Sequence, residues 1–190
     1  MTTSGIVLAG GRSVRMGTDK ALLRYEGSRL VDRAVAHLQR ICDDVVVASG
    51  PRIIPELRVA QVPDRPTGTG PLGGLAAGLA RVDGDVAFVL AVDLPDPDLG
   101  FLARLESHWQ GEAAVVPTAA GHPQPLHAVW ATACAPALSL LAASGTRSLI
   151  DAARQLDATI LDEAQTASLV DHDRWAWNLN RPSDLEAGSA

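Results

Sequence analysis

The first residues that could carry out chemistry lie in one thirteen-residue stretch, LAGGRSVRMGTDK, at positions 8–20. It follows a short apolar run, residues 4–8, which predicts a buried strand. Gly10 and Gly11 allow a sharp turn after that strand and let the backbone approach a flat base or a phosphate closely. Arg15 and Lys20 add positive charge to the same loop. The combination indicates nucleotide binding. No Gly-Lys-Ser/Thr follows the glycines, so side chains rather than a Walker A loop would hold a triphosphate.

Two carboxylates stand just beyond other predicted strands. Asp93 directly follows the apolar run 86–92, and Asp64 follows the run 58–62. Carboxylate oxygens are ligands that Mg²⁺ accepts, usually one or two per site, with substrate phosphates and water completing the octahedron. The alternative for Asp93 is capping of the next turn, but Asp96 is better placed to cap a helix that begins at Pro97. For Asp64, the residues alone favour an Asx-turn.

These residues need a scaffold, and the chain alternates β-branched runs with helical patterns. Such alternation is typical of an α/β fold, here a three-layer, doubly wound, mostly parallel sheet of Rossmann-like type. In these sheets ligands bind beyond the carboxyl ends of the strands, near the switch point in strand order. We expect strands at 4–8, 44–49, 58–62, 86–92, 113–117 and 126–131. We expect helices from about 30 to 41 with Ser28 as cap, and at 71–82, 97–109 and 135–143.

Length and composition limit the possibilities further. A chain of 190 residues with 47% hydrophobic residues predicts a single domain, 1–190, with a substantial core. A formal charge of −6 argues against a nucleic-acid-coating surface but permits a local basic pocket. Cys42 and Cys134 fit two reduced, buried thiols better than a metal cluster or a disulfide. There is neither a signal-like segment nor a run of 18 apolar residues, so we expect a cytoplasmic protein without membrane contact.

The loop at positions 8–20 resembles the pattern LAGG-x-S-x-RMG-x-DK of the molybdenum cofactor guanylyltransferases at every fixed position. The resemblance implies that Leu8, Ala9, Gly10, Gly11 and Lys20 bind the nucleotide. Cytidylyltransferases on the same fold typically have Leu-Ala-Ala-Gly at this place, so the double glycine favours guanine. In that family the strand-terminal aspartate, here Asp93, is the magnesium ligand and also contacts the nucleotide.

Three further stretches are similar to the same family. The family's nucleotide-contacting aspartate precedes a Gly-Pro-Leu-x-Gly-Leu helix start, as Asp64 precedes residues 70–75 here. The segment at 178–185 resembles the family's closing Asn-x-Asn-x-Pro-x-Asp/Glu-Leu, which implies that Asn178 lies near the acceptor and Asn180 near the metal. Capping and backbone hydrogen bonds are an equally good explanation of the two asparagines. His122 and Gln124 lie in a stretch similar to the family's loop near the second substrate.

One departure from the family concerns the end of the second predicted strand. Many guanylyltransferases have an asparagine there, whereas this chain reads Ala48-Ser49-Gly50-Pro51. The polar contact of that asparagine with the nucleotide is therefore either lost or made by Ser49.

The resemblance implies Mg²⁺-dependent transfer of GMP from GTP to the terminal phosphate of molybdopterin, with release of pyrophosphate. Arg15, Lys20 and Asp93 are the candidate catalytic residues. An ionised phosphate that attacks phosphorus needs no general base, so alignment and charge neutralisation suffice. The family role also implies transient contact with cofactor-synthesis proteins or molybdoenzymes.

Other functions remain open at this point. A cytidylyltransferase acting on the molybdenum cofactor, or a sugar-phosphate nucleotidyltransferase, would use the same loop with another base or acceptor. Residues 68–73 also satisfy G-x-G-x-x-G with Asp93 twenty residues beyond, as in NAD-binding oxidoreductases. Against that, five residues separate the strand from Gly68, whereas the fingerprint needs its first glycine in the tight turn itself. A nucleotide-binding module without catalysis is a third possibility, which the presence of Asp93 disfavours.

Overall fold

The structure is a computed structural model and describes residues 2–10, 19–64, 68–179 and 184. Its strands in chain order are β1 (Thr3–Leu8), β2 (Arg24–Tyr25), β3 (Ser28–Arg29), β4 (Asp44–Ala48), β5 (Ala60–Val62), β6 (Val86–Ala91), β7 (Ala114–Val116), β8 (Thr118–Ala119), β9 (His122–Pro123), β10 (His127–Ala131) and β11 (Thr159–Ile160). Its α-helices are α1 (Leu30–Leu38), α2 (Pro71–Leu79), α3 (Leu99–Ser107), α4 (Ala135–Ala143), α5 (Leu149–Gln155) and α6 (Glu163–Ala167). Short 3₁₀ turns cover Lys20–Leu22 and Thr132–Cys134.

Seven strands form one sheet in the order β11-β7-β10-β6-β1-β4-β5. β10 runs antiparallel to both of its neighbours, and all other pairs in this sheet are parallel. All six residues of β6 are buried, which fits its place in the middle of the sheet. The prediction of a doubly wound, mostly parallel α/β sheet is therefore confirmed.

Helices cover both faces of the sheet because successive strand residues point to opposite sides. Val7 belongs to the core cluster that contains α1 and α3, whereas Ile6 and Leu8 belong to the cluster with α2, α4 and α5. This is the predicted three-layer arrangement. Within the described residues, none of the helices is long and apolar enough to cross a membrane.

The order of the strands creates one switch point. From β1 the chain passes to β4 and β5 on one side, and β6 then pairs with the other side of β1. The connections that leave the carboxyl ends of β1 and β6 therefore run in opposite directions along the sheet. A crevice for ligands is expected between these two strand ends. Leu8 to Gly10 leave the sheet at one side of this point, and Asp93 leaves it at the other.

Several predicted boundaries and caps were wrong. Ser28 does not cap α1; it pairs with Tyr25 in a β2–β3 hairpin, and the helix begins after Arg29 without a side-chain cap. Asp98, not Asp96, caps α3 by accepting from the Phe101 N–H at 2.8 Å, so that helix begins two residues later than predicted. β5 and α2 are shorter than expected, and the β8–β9 hairpin, α5, β11 and α6 were not predicted.

Both cysteines are free, as expected, but only Cys134 is buried and Cys42 is half-buried. Desolvation raises the pKa of each thiol to about 12. Neither thiol has the lowered pKa of a reactive cysteine.

Candidate active site

The centre of the candidate site is an ion pair between two residues that the sequence analysis selected. Lys20 Nζ lies 2.7 Å from Asp93 Oδ2, and the two side chains are 21% and 20% exposed. Asp93 stands two residues beyond β6, and the Asp19 side chain caps the 3₁₀ turn that begins with Lys20 by accepting from the Ala21 N–H. A cation and a carboxylate are thus held together at the switch point, where phosphates and a divalent metal would need them.

Backbone hydrogen bonds fix Asp93 in place. The Val92 N–H donates to the Leu8 carbonyl at 3.0 Å, which joins the ends of β6 and β1. The Leu179 N–H donates to the Asp93 carbonyl at 2.9 Å, and Leu179 is fully buried. Asn178 is therefore adjacent to a residue bonded to Asp93, and its own Nδ2 donates to the Ala176 carbonyl. This bond is the backbone role that the sequence left open for Asn178, and its contact with the acceptor stays a prediction.

On the other side of β1, two glycine backbones touch. A Cβ added at Gly10 would lie 2.9 Å from both the Cα and the N of Gly50. Gly50 itself has a φ of 73°, a conformation that side chains rarely adopt. The Ala9 N–H donates to the Ala48 carbonyl at 2.9 Å. The chain ends of β1 and β4 are thus packed without intervening side chains.

Asp64, two residues beyond β5, lies next to this glycine contact. Its Oδ1 lies 3.4 Å from the Cβ position of Gly10 and 3.1 Å from that of Gly74 in α2. Asp64 is 6% exposed, and its Oδ1 has no hydrogen-bond partner within the described structure. Burial raises the pKa of this carboxyl, while a hydrogen bond with the Gly50 backbone and the charge of Arg52 lower it. A buried acceptor without a partner is costly, and a donor on a ligand would relieve that cost.

Arg52 is a residue at this site that sequence reasoning missed. Its guanidinium donates to both carboxylate oxygens of Asp19 at 2.5 Å, to the Ala9 carbonyl at 3.0 Å and to the Ser49 carbonyl at 2.7 Å. One side chain therefore connects the end of β1, the end of β4 and the residue before Lys20. No local pattern marks Arg52, because its partners are assembled by the fold.

The structure also decides what Ser49 does in place of the family asparagine. Ser49 is fully buried, and its hydroxyl donates to the Arg52 carbonyl at 2.6 Å. The Ser49 N–H donates to the Val62 carbonyl at 3.1 Å. Its side chain is thus directed into the turn that carries Arg52, so the alternative in which Ser49 makes the nucleotide contact is disfavoured.

Two of the predicted acceptor residues, His122 and Gln124, lie in and directly after a separate, short hairpin of β8 and β9. His122 is an exposed residue of β9, and the half-buried Gln124 donates from Nε2 to the His122 carbonyl at 2.9 Å. Downstream, the Leu126 carbonyl accepts from the Ala91 N–H at 2.9 Å, two residues before Asp93. The hairpin therefore leads into the sheet at the edge where Asp93 stands.

Three predicted site residues, Gly11, Arg15 and Asn180, lie outside the described residues, and their placement stays a prediction. The alternative dinucleotide fingerprint at 68–73 does not have the expected geometry. β5, which precedes these glycines, and β6, which precedes Asp93, are separated in the sheet by β4 and β1. Asp93 is thus not at the end of the strand next to the glycine turn.

Comparison with known families and sequences finds similar proteins over most of the chain. The model of the MobA-like NTP transferase domain matches residues 5–159. A probable molybdenum cofactor guanylyltransferase of Chloroflexus aggregans is 36% identical over 193 aligned positions, covering 98% of this chain and 93% of that protein. Another of the same name, from Mycobacterium marinum, is 31% identical and covers 98% of this chain and 93% of its own.

Solved structures show the same fold. The molybdopterin-guanine dinucleotide biosynthesis protein A of Archaeoglobus fulgidus superposes with a TM-score of 0.81 at 22% identity, covering 97% of this chain and 96% of its own. The 2-C-methyl-D-erythritol 4-phosphate cytidylyltransferase of Thermus thermophilus superposes with a TM-score of 0.69 at 18% identity, covering 99% and 97%. Together with the match over residues 5–159, these relatives show that the chain is a nucleotidyltransferase of the MobA-like NTP transferase family.

Proposed function

We propose that this nucleotidyltransferase transfers GMP from GTP to the terminal phosphate of molybdopterin and releases pyrophosphate. The observation that carries the proposal is the pair of Lys20 and Asp93, 2.7 Å apart between the ends of β1 and β6. Relatives named probable molybdenum cofactor guanylyltransferases align with almost the whole chain and suggest the two substrates.

The guanine base would lie against the Gly10–Gly50 contact, with its edge toward Asp64. Guanine presents adjacent N–H donors at N1 and N2, whereas the matching edge of cytosine presents one amine beside an acceptor. A carboxylate accepts only, so the buried Asp64, whose Oδ1 has no partner among the described residues, favours guanine. This assigns base selection to Asp64, Gly10 and the neighbouring Gly11.

Mg²⁺ is the metal that this family implies, and the described residues fit it. They include no group of three or more His, Cys, Asp or Glu side chains that could hold a metal. Asp93, a single carboxylate at the crevice, matches the usual Mg²⁺ arrangement of one or two protein carboxylates together with phosphates and water. Asp93 would hold the ion, with Asn180 as a second oxygen ligand. The bound ion would neutralise charge on the phosphates of the nucleotide.

The other residues of the site would align the two substrates and neutralise the charge of their phosphates. Lys20, within reach of Asp93 in the same crevice, would bind the phosphates of GTP together with Arg15. The acceptor phosphate is already ionised and would approach from the side of His122, Gln124 and Asn178. No proton has to be removed from it, so the protein needs only to place the two anions in line.

The test is to incubate the protein with each of the four nucleoside triphosphates, Mg²⁺ and molybdopterin, and to identify products by mass. We expect a GMP adduct and pyrophosphate, with GTP favoured over CTP by at least about tenfold, or ~1.4 kcal/mol. Equal use of CTP would overturn the assignment of the base. Absence of an adduct with every nucleotide would overturn the transfer reaction, and saturable NADH binding would restore the oxidoreductase alternative.

A further inference from the structure

The guanidinium of Arg52 is almost fully used by the protein itself. Four of its five N–H groups donate, one from Nε, one from Nη1 and two from Nη2, to acceptors from Ala9, Asp19 and Ser49. An arginine that reads a base or clamps a phosphate needs two parallel donors to be available. Arg52 has too few N–H groups left for that role.

The backbone around Arg52 is held by local contacts. The Ser49 hydroxyl donates to the Arg52 carbonyl, and Gly50 with its positive φ is followed by Pro51. Because Gly50 packs directly on Gly10, this turn brings Arg52 to the Ala9 carbonyl. The side chain is 30% exposed, so its pair with Asp19 is partly shielded from water.

Asp19 connects Arg52 to the turn that carries Lys20. Its carboxylate receives Arg52 on both oxygens and also caps the turn that begins with Lys20, accepting from the Ala21 N–H at 3.1 Å. Lys20 then reaches Asp93 on the other side of β1. A continuous line of contacts thus runs from Arg52 through Asp19 to the cation and carboxylate at the centre of the site.

We propose that Arg52 is a positioning residue for nucleotide transfer: by holding Asp19 it fixes the backbone from which Lys20 acts on the phosphates. The reaction concerned is the one put forward under Proposed function, so this inference rests on that function. Because four of its five N–H groups already donate to protein acceptors, Arg52 would contact neither the base nor the phosphates. Its removal therefore lowers turnover more than it lowers nucleotide affinity.

The sequence offers a direct probe of Lys20, which is the only lysine in the chain. Lys20 and the N-terminal amine are the amines that an acetylating reagent can modify, and peptide mass spectrometry separates these two products from each other and from any acetylated Tyr or Cys. Four proteins are compared with wild type: Arg52→Gln, Arg52→Lys, Asp19→Asn and the double variant Arg52→Gln/Asp19→Asn. Arg58→Gln is the matched control. Arg58 is exposed, and its side chain makes no ion pair or hydrogen bond with the described residues.

Without any nucleotide, Arg52→Gln should speed Lys20 acetylation by about tenfold, because Lys20 is no longer held against Asp93. Asp19→Asn should have the same effect, and the double variant should add nothing, since both changes break one line of contacts. Arg52→Lys should not restore the wild-type rate, because a single ammonium cannot reproduce the fork on Asp19. Unchanged acetylation in Arg52→Gln would overturn the proposal.

With GTP, Mg²⁺ and acceptor, Arg52→Gln should lower kcat by about tenfold, with KM for GTP changed less than about threefold. A positioning role would be contradicted if the effects of Arg52→Gln and Asp19→Asn on kcat multiplied in the double variant. It would also be contradicted if GTP affinity fell as much as kcat. Melting temperatures show whether the variants fold. If wild type transfers no nucleotide, the proposed function fails, but the acetylation series still decides whether Arg52 positions Lys20.

Discussion

The two sides of the crevice are built differently. On the side that we propose for the nucleotide, called here the nucleotide side, Arg52 joins three chain segments, and the backbones of Gly10 and Gly50 are in contact. On the side that we propose for the acceptor, called here the acceptor side, two hydrogen bonds join the β8–β9 hairpin to α6. The Thr118 N–H donates to Thr166, and the Gly121 N–H donates to Glu163. The described residues of the nucleotide side are thus cross-linked by hydrogen bonds and close packing, whereas His122 on the acceptor side is exposed. Substitutions on the two sides should therefore differ in size and in which kinetic constant they change.

The largest effect should come from Asp93, where both sides meet. Asp93→Asn keeps the shape of the side chain but removes the charge that would hold Mg²⁺. We expect kcat to fall by at least about 100-fold, or ~2.7 kcal/mol, with the circular dichroism spectrum unchanged. Higher Mg²⁺ should restore part of the activity, because weaker metal affinity is offset by concentration.

A control for Asp93 lies three residues further along the same loop. Asp96 pairs with Arg33 and Arg174 instead of Lys20, at 3.4 and 3.3 Å. Asp96→Asn should therefore leave turnover within about threefold of wild type, since partly exposed ion pairs contribute little. Near-normal turnover of Asp93→Asn at ordinary Mg²⁺ would refute the metal role.

A smaller effect is expected for Asp64, where function and stability should oppose each other. Asp64→Asn exchanges one acceptor for a donor, so affinity for GTP should fall by about tenfold. The same variant should melt at a higher temperature than wild type at pH 7. Burial raises the pKa of Asp64 in the folded state, so ionisation at neutral pH costs more in the folded chain than in the unfolded one.

The sign of this effect can be followed with pH. A carboxyl whose folded-state pKa is raised contributes stability below its unfolded pKa and loses that contribution as the pH rises through the folded pKa. The gain in melting temperature of Asp64→Asn should therefore shrink as the pH falls through this range. Asp83→Asn, an exposed change of the same type, should show no such trend. A lower melting temperature of Asp64→Asn at pH 7 would show that the carboxylate is satisfied.

The smallest effect is expected on the acceptor side. His122 is exposed on β9, so His122→Ala should raise KM for the acceptor by about threefold and leave KM for GTP unchanged. Steady-state kinetics with each substrate varied in turn distinguish the two constants. A change in KM for GTP would mean that the hairpin belongs to the nucleotide side, and the comparison between the two sides would no longer hold.

Much of the centre of this site could be predicted from the sequence because its signals are local. The apolar run before Asp93 predicts a central strand, and all six residues of β6 are buried. The carboxyl-end rule then places Asp93 at the crevice. Lys20 stands in a compact pattern with the glycines, and the structure brings it to Asp93. α6 carried a readable signal that was not used, the capping box of Asp162 and Gln165.

The remaining features depend on contacts distant in sequence. The three partners of Arg52 come from different segments, and no spacing rule connects them. The antiparallel direction of β10 has no local pattern, since a buried strand has the same composition in either direction. Ser28 has the right type and position for a helix cap, but its pairing with Tyr25 in the hairpin prevails.

The hydrogen bond from Leu179 to Asp93 has a consequence for how the protein is made. Synthesis on the ribosome releases β1, β4, β5 and β6 long before Leu179, so the parallel part of the sheet can begin to fold early. The Asp93 carbonyl, however, gains its partner only when Leu179 emerges. A nascent chain halted before this residue would lack the bond that fixes the backbone of Asp93 itself, although Val92 could already pair with Leu8. Competence for catalysis should therefore arise late in translation, after most of the core has formed.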